Sequence, residues 1–222
     1  MQRLAQGLHQ FQSQVFSSHK ELFERLEKGQ SPETLFITCS DSRIDPNLIT
    51  QTGPGELFIL RNVGNLVARY EEHIGSTAAA IEFAVAALKV RDIIICGHSN
   101  CGAMQAVLEP STIENLPAMK AWMAYAAETG RLVRENYGHL EGEARFAATV
   151  EENVLVQLEN LRTHPSVAAA MERGVLRIHG WVYKIQTGEV YVYDPEQAQF
   201  VPLTDAGVAP LDEAHRSSDL SI

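Results

Sequence analysis

Apolar residues at the start of the chain recur at helical intervals. Leu4, Leu8, Phe11, Val15, Leu22 and Leu26 fall three, four or seven positions apart, so residues 2–28 are expected to form one or two amphipathic helices. Such an arm buries its stripe on its own domain or on a second copy of the chain. Gly29-Gln30-Ser31-Pro32 reads as a turn. The pattern then changes to short apolar runs, Leu35 to Thr38, Glu56 to Leu60 and Asp92 to Cys96, which read as buried parallel strands. Between them, Asp45-Pro46 opens a short helix, Gly53-Pro54-Gly55 and Arg61 to Asn65 are loops, and Ser76 is expected to cap a helix running through Leu88. Helices are also expected from Cys101 to about Leu108, from Pro117 to Glu128 and from Glu141 to Leu161. The last of these places Val150, Val154, Leu158 and Leu161 on one face, and Pro165 ends it. Val175 to Ile185 and Val190 to Tyr193 read as strands joined by a Thr187-Gly188 hairpin. Periodicity fades from about Val201, and Ser217 to Ile222 reads as a loose tail.

These elements define an α/β fold. The expectation is a mostly parallel central sheet of four strands plus an antiparallel edge strand, with helices on both faces and an N-terminal helical arm. Residues 1–30 form the arm, 31–200 the α/β domain and 201–222 a C-terminal tail.

Composition narrows the class. A chain of 222 residues can bury a full core without disulfide staples. A formal charge of −10 lacks the basic footprint that nucleic acid requires. No apolar run is long enough to span a membrane. Three cysteines, an odd count with no leader pattern ahead of them, fit a reducing intracellular compartment.

The chemistry concentrates in Cys39-Ser-Asp-Ser-Arg43 and His98-Ser-Asn-Cys101, each of which follows an expected strand. Ligand groups collect past the carboxyl ends of strands in open α/β sheets, so two thiols and one imidazole can meet there. Three protein ligands leave a zinc ion with an open position, as catalysis needs. Asp41 has two options: it accepts the proton of a metal-bound water in a hydrogen bond, or it occupies the fourth position as an oxygen ligand. Arg43 can pair with it bidentately and keep it ionised. Taken singly, each element has a plainer reading. A cysteine after a strand is commonly an inert core residue, as Cys96 is read here, and an Asp-x-Arg pair is commonly a surface ion pair. The conjunction is what favours the metal.

Cys39-Ser-Asp41-Ser-Arg43, Arg61-Asn-Val-Gly-Asn65 and Cys96-Gly-His98-Ser-Asn-Cys101-Gly102 together resemble the β-class carbonic anhydrases, over roughly residues 1–200. The resemblance implies one zinc per chain held by Cys39, His98 and Cys101, with Asp41 and Arg43 as a dyad. It implies reversible hydration of carbon dioxide to bicarbonate by a zinc-bound hydroxide. It further implies a homodimer or higher homo-oligomer, in which Gln30 reaches the substrate across the interface. Phe58 and Val63 match apolar wall positions, Phe83 stands where many members have Tyr, and Gly102 supplies a backbone N–H near the substrate. Some members hold bicarbonate at a second site built from a Trp, an Arg and a Tyr. Here those positions are Phe36, Arg61 and Tyr183, so the polar site is incomplete and the expected state has Asp41 on Arg43. Phe16-Ser-Ser-His19, Asp45 to Gln51 and Tyr137 to Glu143 resemble the cyanobacterial carboxysomal branch. That suggests a cytoplasmic or carboxysomal location and a shell or scaffold partner. Members of that branch carry a longer C-terminal extension, whereas this chain ends at Ile222, either naturally short or without that contact. His73 and His139 are candidate proton carriers. The alternatives are hydrolysis of carbon disulfide or carbonyl sulfide on the same fold, or a non-catalytic zinc-containing assembly protein.

Overall fold

The structure is a computed structural model that describes residues 1–70 and 75–203. His73 and all but the first three residues of the expected tail lie outside the described residues. In chain order the elements are α1 (Gln2–Gln10), α2 (Phe16–Ser18), α3 (Lys20–Leu26), β1 (Thr34–Cys39), α4 (Pro46–Thr50), β2 (Leu57–Asn62), α5 (Ser76–Glu82), β3 (Asp92–His98), α6 (Gly102–Leu108), α7 (Pro117–Met123), α8 (Ala127–Asn136), α9 (Gly142–Arg162), α10 (Pro165–Glu172), β4 (Arg177–Tyr183), β5 (Val190–Asp194) and β6 (Gln199–Pro202). The strands form one sheet in the order β2-β1-β3-β4-β5-β6. The first four are parallel and the last two antiparallel.

Alternation along the strands sorts the side chains to two faces. Leu35, Ile37, Ile93, Ile95 and Val182 join the larger core with Val150, Val154, Leu158 and Leu161 of α9, the stripe expected from sequence. Full burial of each such side chain stabilises the fold by about 1.5–3 kcal/mol. α9 lies so close to the sheet that a Cβ on Gly97 or Gly180 would come within 2.8 Å of a Val154 methyl. Phe36, Ile94 and Cys96 form a smaller cluster on the opposite face, with Leu57, Trp181 and Tyr183 against it. Cys96 is the core thiol the sequence suggests: burial pushes it up to about 12.

The arm is helical, with a π-helical stretch at Phe11–Val15 and a bend at His19. Phe23 closes on Phe16 at 5.1 Å and on Phe11 at 5.9 Å across that bend. Leu4, Leu8, Phe11, Val15 and Phe16 are nevertheless exposed.

Several boundaries differ from expectation. Ser76 is the first helical residue and Gly75 the cap, so the backbone turn into the helix falls on a glycine without a capping side chain. The helix stops being α at Phe83, where a π-helical stretch carries the chain to Ala87. The helix from Pro117 breaks into a tighter turn at Ala124–Ala126 and resumes as α8 through Asn136. Pro165 does not merely stop α9; it is the first residue of α10, where its missing N–H costs nothing. β6 is an added edge strand, too short to show a period in sequence.

Candidate metal centre

From β1 the chain moves outward to β2, then returns to the other side of β1 as β3. The carboxyl ends of β1 and β3 therefore flank a topological switch point, the place where open sheets bind ligands. Cys39 is the last residue of β1 and His98 the last of β3. Cys101 caps α6 after a turn in which Asn100 adopts φ 56°, a left-handed conformation that asparagine tolerates.

The ligand atoms of Cys39, His98 and Cys101 all lie within 4.8 Å of one another, and all three residues are buried. The two sulfurs are 4.0 Å apart. Sulfurs bound about 2.3 Å from a tetrahedral zinc would stand about 3.8 Å apart. His98 Nδ1 is 2.9 Å from the Ser99 carbonyl oxygen. A carbonyl only accepts, so Nδ1 carries the proton and Nε2 keeps its lone pair. Nε2 is buried and has no hydrogen-bond partner among the described residues. A buried polar atom left so costs about 1–3 kcal/mol unless another group engages it. Two soft thiols and this lone pair fit zinc.

The two thiols share a proton. Cys101, against the opposing push of burial and with help from the N–H groups of Gly64 and Asp41, draws the Cys39 thiol below its ordinary value. Cys101 moves up, because Cys39 beside it and burial both disfavour a second thiolate. A bound cation reverses that second effect, so metal uptake releases protons.

Asp41 stands beside this set. Arg43 donates from Nε to Oδ1 at 2.9 Å and from Nη2 to Oδ2 at 2.7 Å. Its backbone N–H donates to Oδ1 as well, at 3.0 Å. The guanidinium holds the Asp41 carboxyl well below the usual carboxylate range, against a smaller upward push from burial. Asp41 Oδ2 lies 3.9 Å from His98 Nε2, so the carboxylate faces the centre with both oxygens held by Arg43. Arg43 Nη2 also donates to the Asn100 carbonyl at 3.0 Å, tying the loop after β1 to the loop after β3.

The other sequence candidates spread around this centre. Phe58 on β2 and Phe83 face each other at 6.0 Å. Phe83 and Val63 are 48% and 40% exposed, so both offer apolar surface to solvent or to a second chain. Gly102 is the first residue of α6, next to Cys101. Gln30 is exposed between α3 and β1, with no hydrogen bond to the three ligand residues. Phe36 is fully buried and edge-on to Trp181 at 6.0 Å. Arg61 donates to the carbonyls of Cys39 (3.1 Å) and Asp41 (2.7 Å), so it clamps the loop that carries both residues.

Three contacts near the centre have no sequence signal. Gly64 N–H donates to Cys39 Sγ at 3.3 Å, the Trp122 indole N–H donates to the Val63 carbonyl at 2.7 Å, and Asn153 Nδ2 donates to the Gly64 carbonyl at 3.1 Å. Two of them end on backbone carbonyls, which no side-chain motif reports.

An α/β sheet with a Cys/His/Cys set at its switch point defines a class of metal-binding proteins. A sequence profile described as carbonic anhydrase matches residues 34–190. The chain is 49% identical over 202 residues to a carbonic anhydrase of Synechocystis sp. (strain ATCC 27184 / PCC 6803 / Kazusa), covering 90% of this chain and 74% of the relative. Its fold matches the structure of the β-carbonic anhydrase CcaA with TM-score 0.90 at 49% identity, covering 92% of each chain. It matches tetrameric β-carbonic anhydrases of the ascomycete Sordaria macrospora with TM-score 0.75 at 29% identity, covering 86% of this chain and 95% of that one. The chain belongs to the β-carbonic anhydrase family, enzymes that hydrate carbon dioxide. No described helix is long and apolar enough to cross a membrane.

Proposed function

We propose that the chain hydrates carbon dioxide reversibly at a single zinc ion held by Cys39, His98 and Cys101. The observation that carries this is the buried, unpartnered His98 Nε2 beside two thiols, with all three ligand atoms within 4.8 Å. Zinc supplies, when bound, a water acidic enough to lose a proton near neutral pH and a positive charge to steady the product anion. The chain's own residues do the rest. Asp41 accepts a hydrogen bond from the reacting water and orients it. Arg43 keeps Asp41 ionised and fixes its direction through two donors on two oxygens. Phe58, Val63 and Phe83 form the apolar wall that an uncharged substrate prefers, and Gly102 N–H faces the product oxygens. Gln30, exposed between α3 and β1, serves the site of a second copy, as the family resemblance implies. The exposed arm residues Leu4, Leu8, Phe11, Val15 and Phe16 support a homo-oligomer with the dimer as its smallest active unit. The division into arm 1–30, catalytic domain 31–200 and tail 201–222 belongs to the same proposal. A cytoplasmic or carboxysomal location, with a shell or scaffold partner, rests on the three sequence stretches that resemble the carboxysomal branch.

The test is stopped-flow hydration of carbon dioxide by zinc-analysed protein, with carbon disulfide as a parallel substrate. Rapid hydration proportional to zinc content supports the proposal. Turnover of carbon disulfide alone, or no turnover by zinc-loaded protein, overturns it.

A further inference from the structure

We propose that Trp122 is a positioning residue for the metal centre: its indole N–H holds the Val63–Gly64 peptide so that the Gly64 N–H points at Cys39 Sγ. The inference rests on the metal reading above.

Both contacts belong to one peptide unit. Its carbonyl oxygen, that of Val63, accepts from Trp122 Nε1 at 2.7 Å, and its N–H, that of Gly64, donates to Cys39 Sγ at 3.3 Å. In a planar trans peptide the C=O and N–H point in opposite directions. A donor that fixes the oxygen on one side therefore fixes the hydrogen on the other. The unit needs such a hold because of the residue it contains. Gly64 has φ +83°, and a Cβ there would lie 2.8 Å from the Ala103 side chain. Only glycine fits, and glycine is the residue that least resists rotation of its neighbouring peptide planes.

The following peptide is held from the other direction. Asn153 Nδ2 donates to the Gly64 carbonyl at 3.1 Å. Asn153 is 1% exposed and is itself fixed by Gln157 at 3.0 Å and Thr129 at 3.3 Å. A few residues along, Asn62 receives Leu66 N–H and donates to the Leu66 carbonyl, which closes the loop on itself. Of these restraints, Trp122 is the one that grips the peptide carrying the N–H. Its ring is braced by Tyr125, edge-on at 5.3 Å, in the turn that follows α7.

An N–H donated to a metal-bound thiolate draws electron density from the sulfur and holds its orientation, as partners behind metal ligands do. Losing the indole N–H removes the hold on the Val63 carbonyl and widens the range over which this peptide turns. The sulfur then becomes a stronger electron donor and a less well-placed ligand. Trp122 acts on the metal without touching it.

The experiment compares wild type, Trp122→Phe, and protein with benzothienylalanine at position 122, which keeps the bicyclic shape and replaces N–H by sulfur. Each is loaded with cobalt(II) for spectroscopy and with zinc for metal release. The expected result has three parts. The thiolate-to-cobalt charge-transfer band moves to lower energy in both variants. Zinc passes to a competing chelator about two- to tenfold faster, the range expected for one net hydrogen bond. The melting temperature of the benzothienylalanine protein stays with wild type, which separates this role from packing. A band at the wild-type energy, with release rates within twofold of wild type, in the benzothienylalanine protein overturns the inference. That result leaves the metal reading standing if wild type still binds one metal through its thiolates. A wild-type chain that takes up neither cobalt nor zinc overturns both.

Discussion

His98 Nδ1 sits 2.9 Å from the carbonyl oxygen of Ser99, and that contact decides what the other ring nitrogen does. With the proton committed to Ser99, Nε2 offers a lone pair beside the thiols of Cys39 and Cys101, 3.9 Å from Asp41 Oδ2.

The first prediction removes ligands singly. Cys39→Ser, Cys101→Ser and His98→Ala each strip one soft or imidazole donor from the three-residue set. Metal analysis is expected to show zinc content falling to a small fraction of one per chain, with carbon dioxide hydration falling alongside it. One zinc per chain retained in all three variants would refute the ligand assignment.

Arg43 holds Asp41, so the dyad separates from metal binding. Asp41→Asn removes the negative acceptor and leaves Cys39, His98 and Cys101 in place. Turnover is expected to fall by about 10²-fold or more, in the range of a positioned proton acceptor, with zinc nearly complete. Arg43→Ala is expected to do likewise, and to loosen the loop it shares with Asn100. Wild-type turnover in Asp41→Asn would show that the carboxylate has no part in the reaction.

Acid sensitivity is expected at a second carboxylate, away from the metal. Burial alone would raise Asp92, but His179 at 2.7 Å and the Arg177 fork at 2.9 and 3.1 Å outweigh it, and its pKa lies below the ordinary value. The unfolded chain therefore binds the proton more readily than the native one. Stability from Asp92 is complete above the unfolded value, about 3.9, and is lost as pH falls through the lower native value. Urea denaturation of Asp92→Asn should show lower stability than wild type at pH 7, with the gap closing in strong acid. A gap that does not change with pH would mean the charge of Asp92 contributes nothing.

Gly180 is a point of close approach between α9 and the sheet. Gly180→Ala puts a methyl within 3.0 Å of both Val154 and Leu158, and should destabilise by about 1–3 kcal/mol. Val154→Ala in the same chain opens space beneath it, so the double variant should lose less than the sum of the single losses. Strict additivity in thermal or urea denaturation would argue that α9 moves aside.

The parts of this molecule that were legible in sequence are those encoded locally. Cys39 and His98 close apolar strand runs, and Asp41 and Arg43 follow at offsets short enough for one loop to bring them together. Val150, Val154, Leu158 and Leu161 show the period of α9 and are all buried. What stayed hidden depends on distant chain. Pro165 reads in sequence as a stop, and packing of Val167 and Ala170 into the core makes it also the start of α10. β6 has too few residues for a period and exists because β5 offers it an edge. The grip of Trp122 on Val63 crosses 59 positions and ends on a backbone carbonyl.

X-ray absorption at the zinc edge of the purified, zinc-loaded protein reads the ligand set of Cys39, His98 and Cys101 itself. Two sulfur neighbours at about 2.3 Å, one imidazole nitrogen at about 2.0–2.1 Å and one further light atom are expected. A shell with one sulfur or none would contradict it.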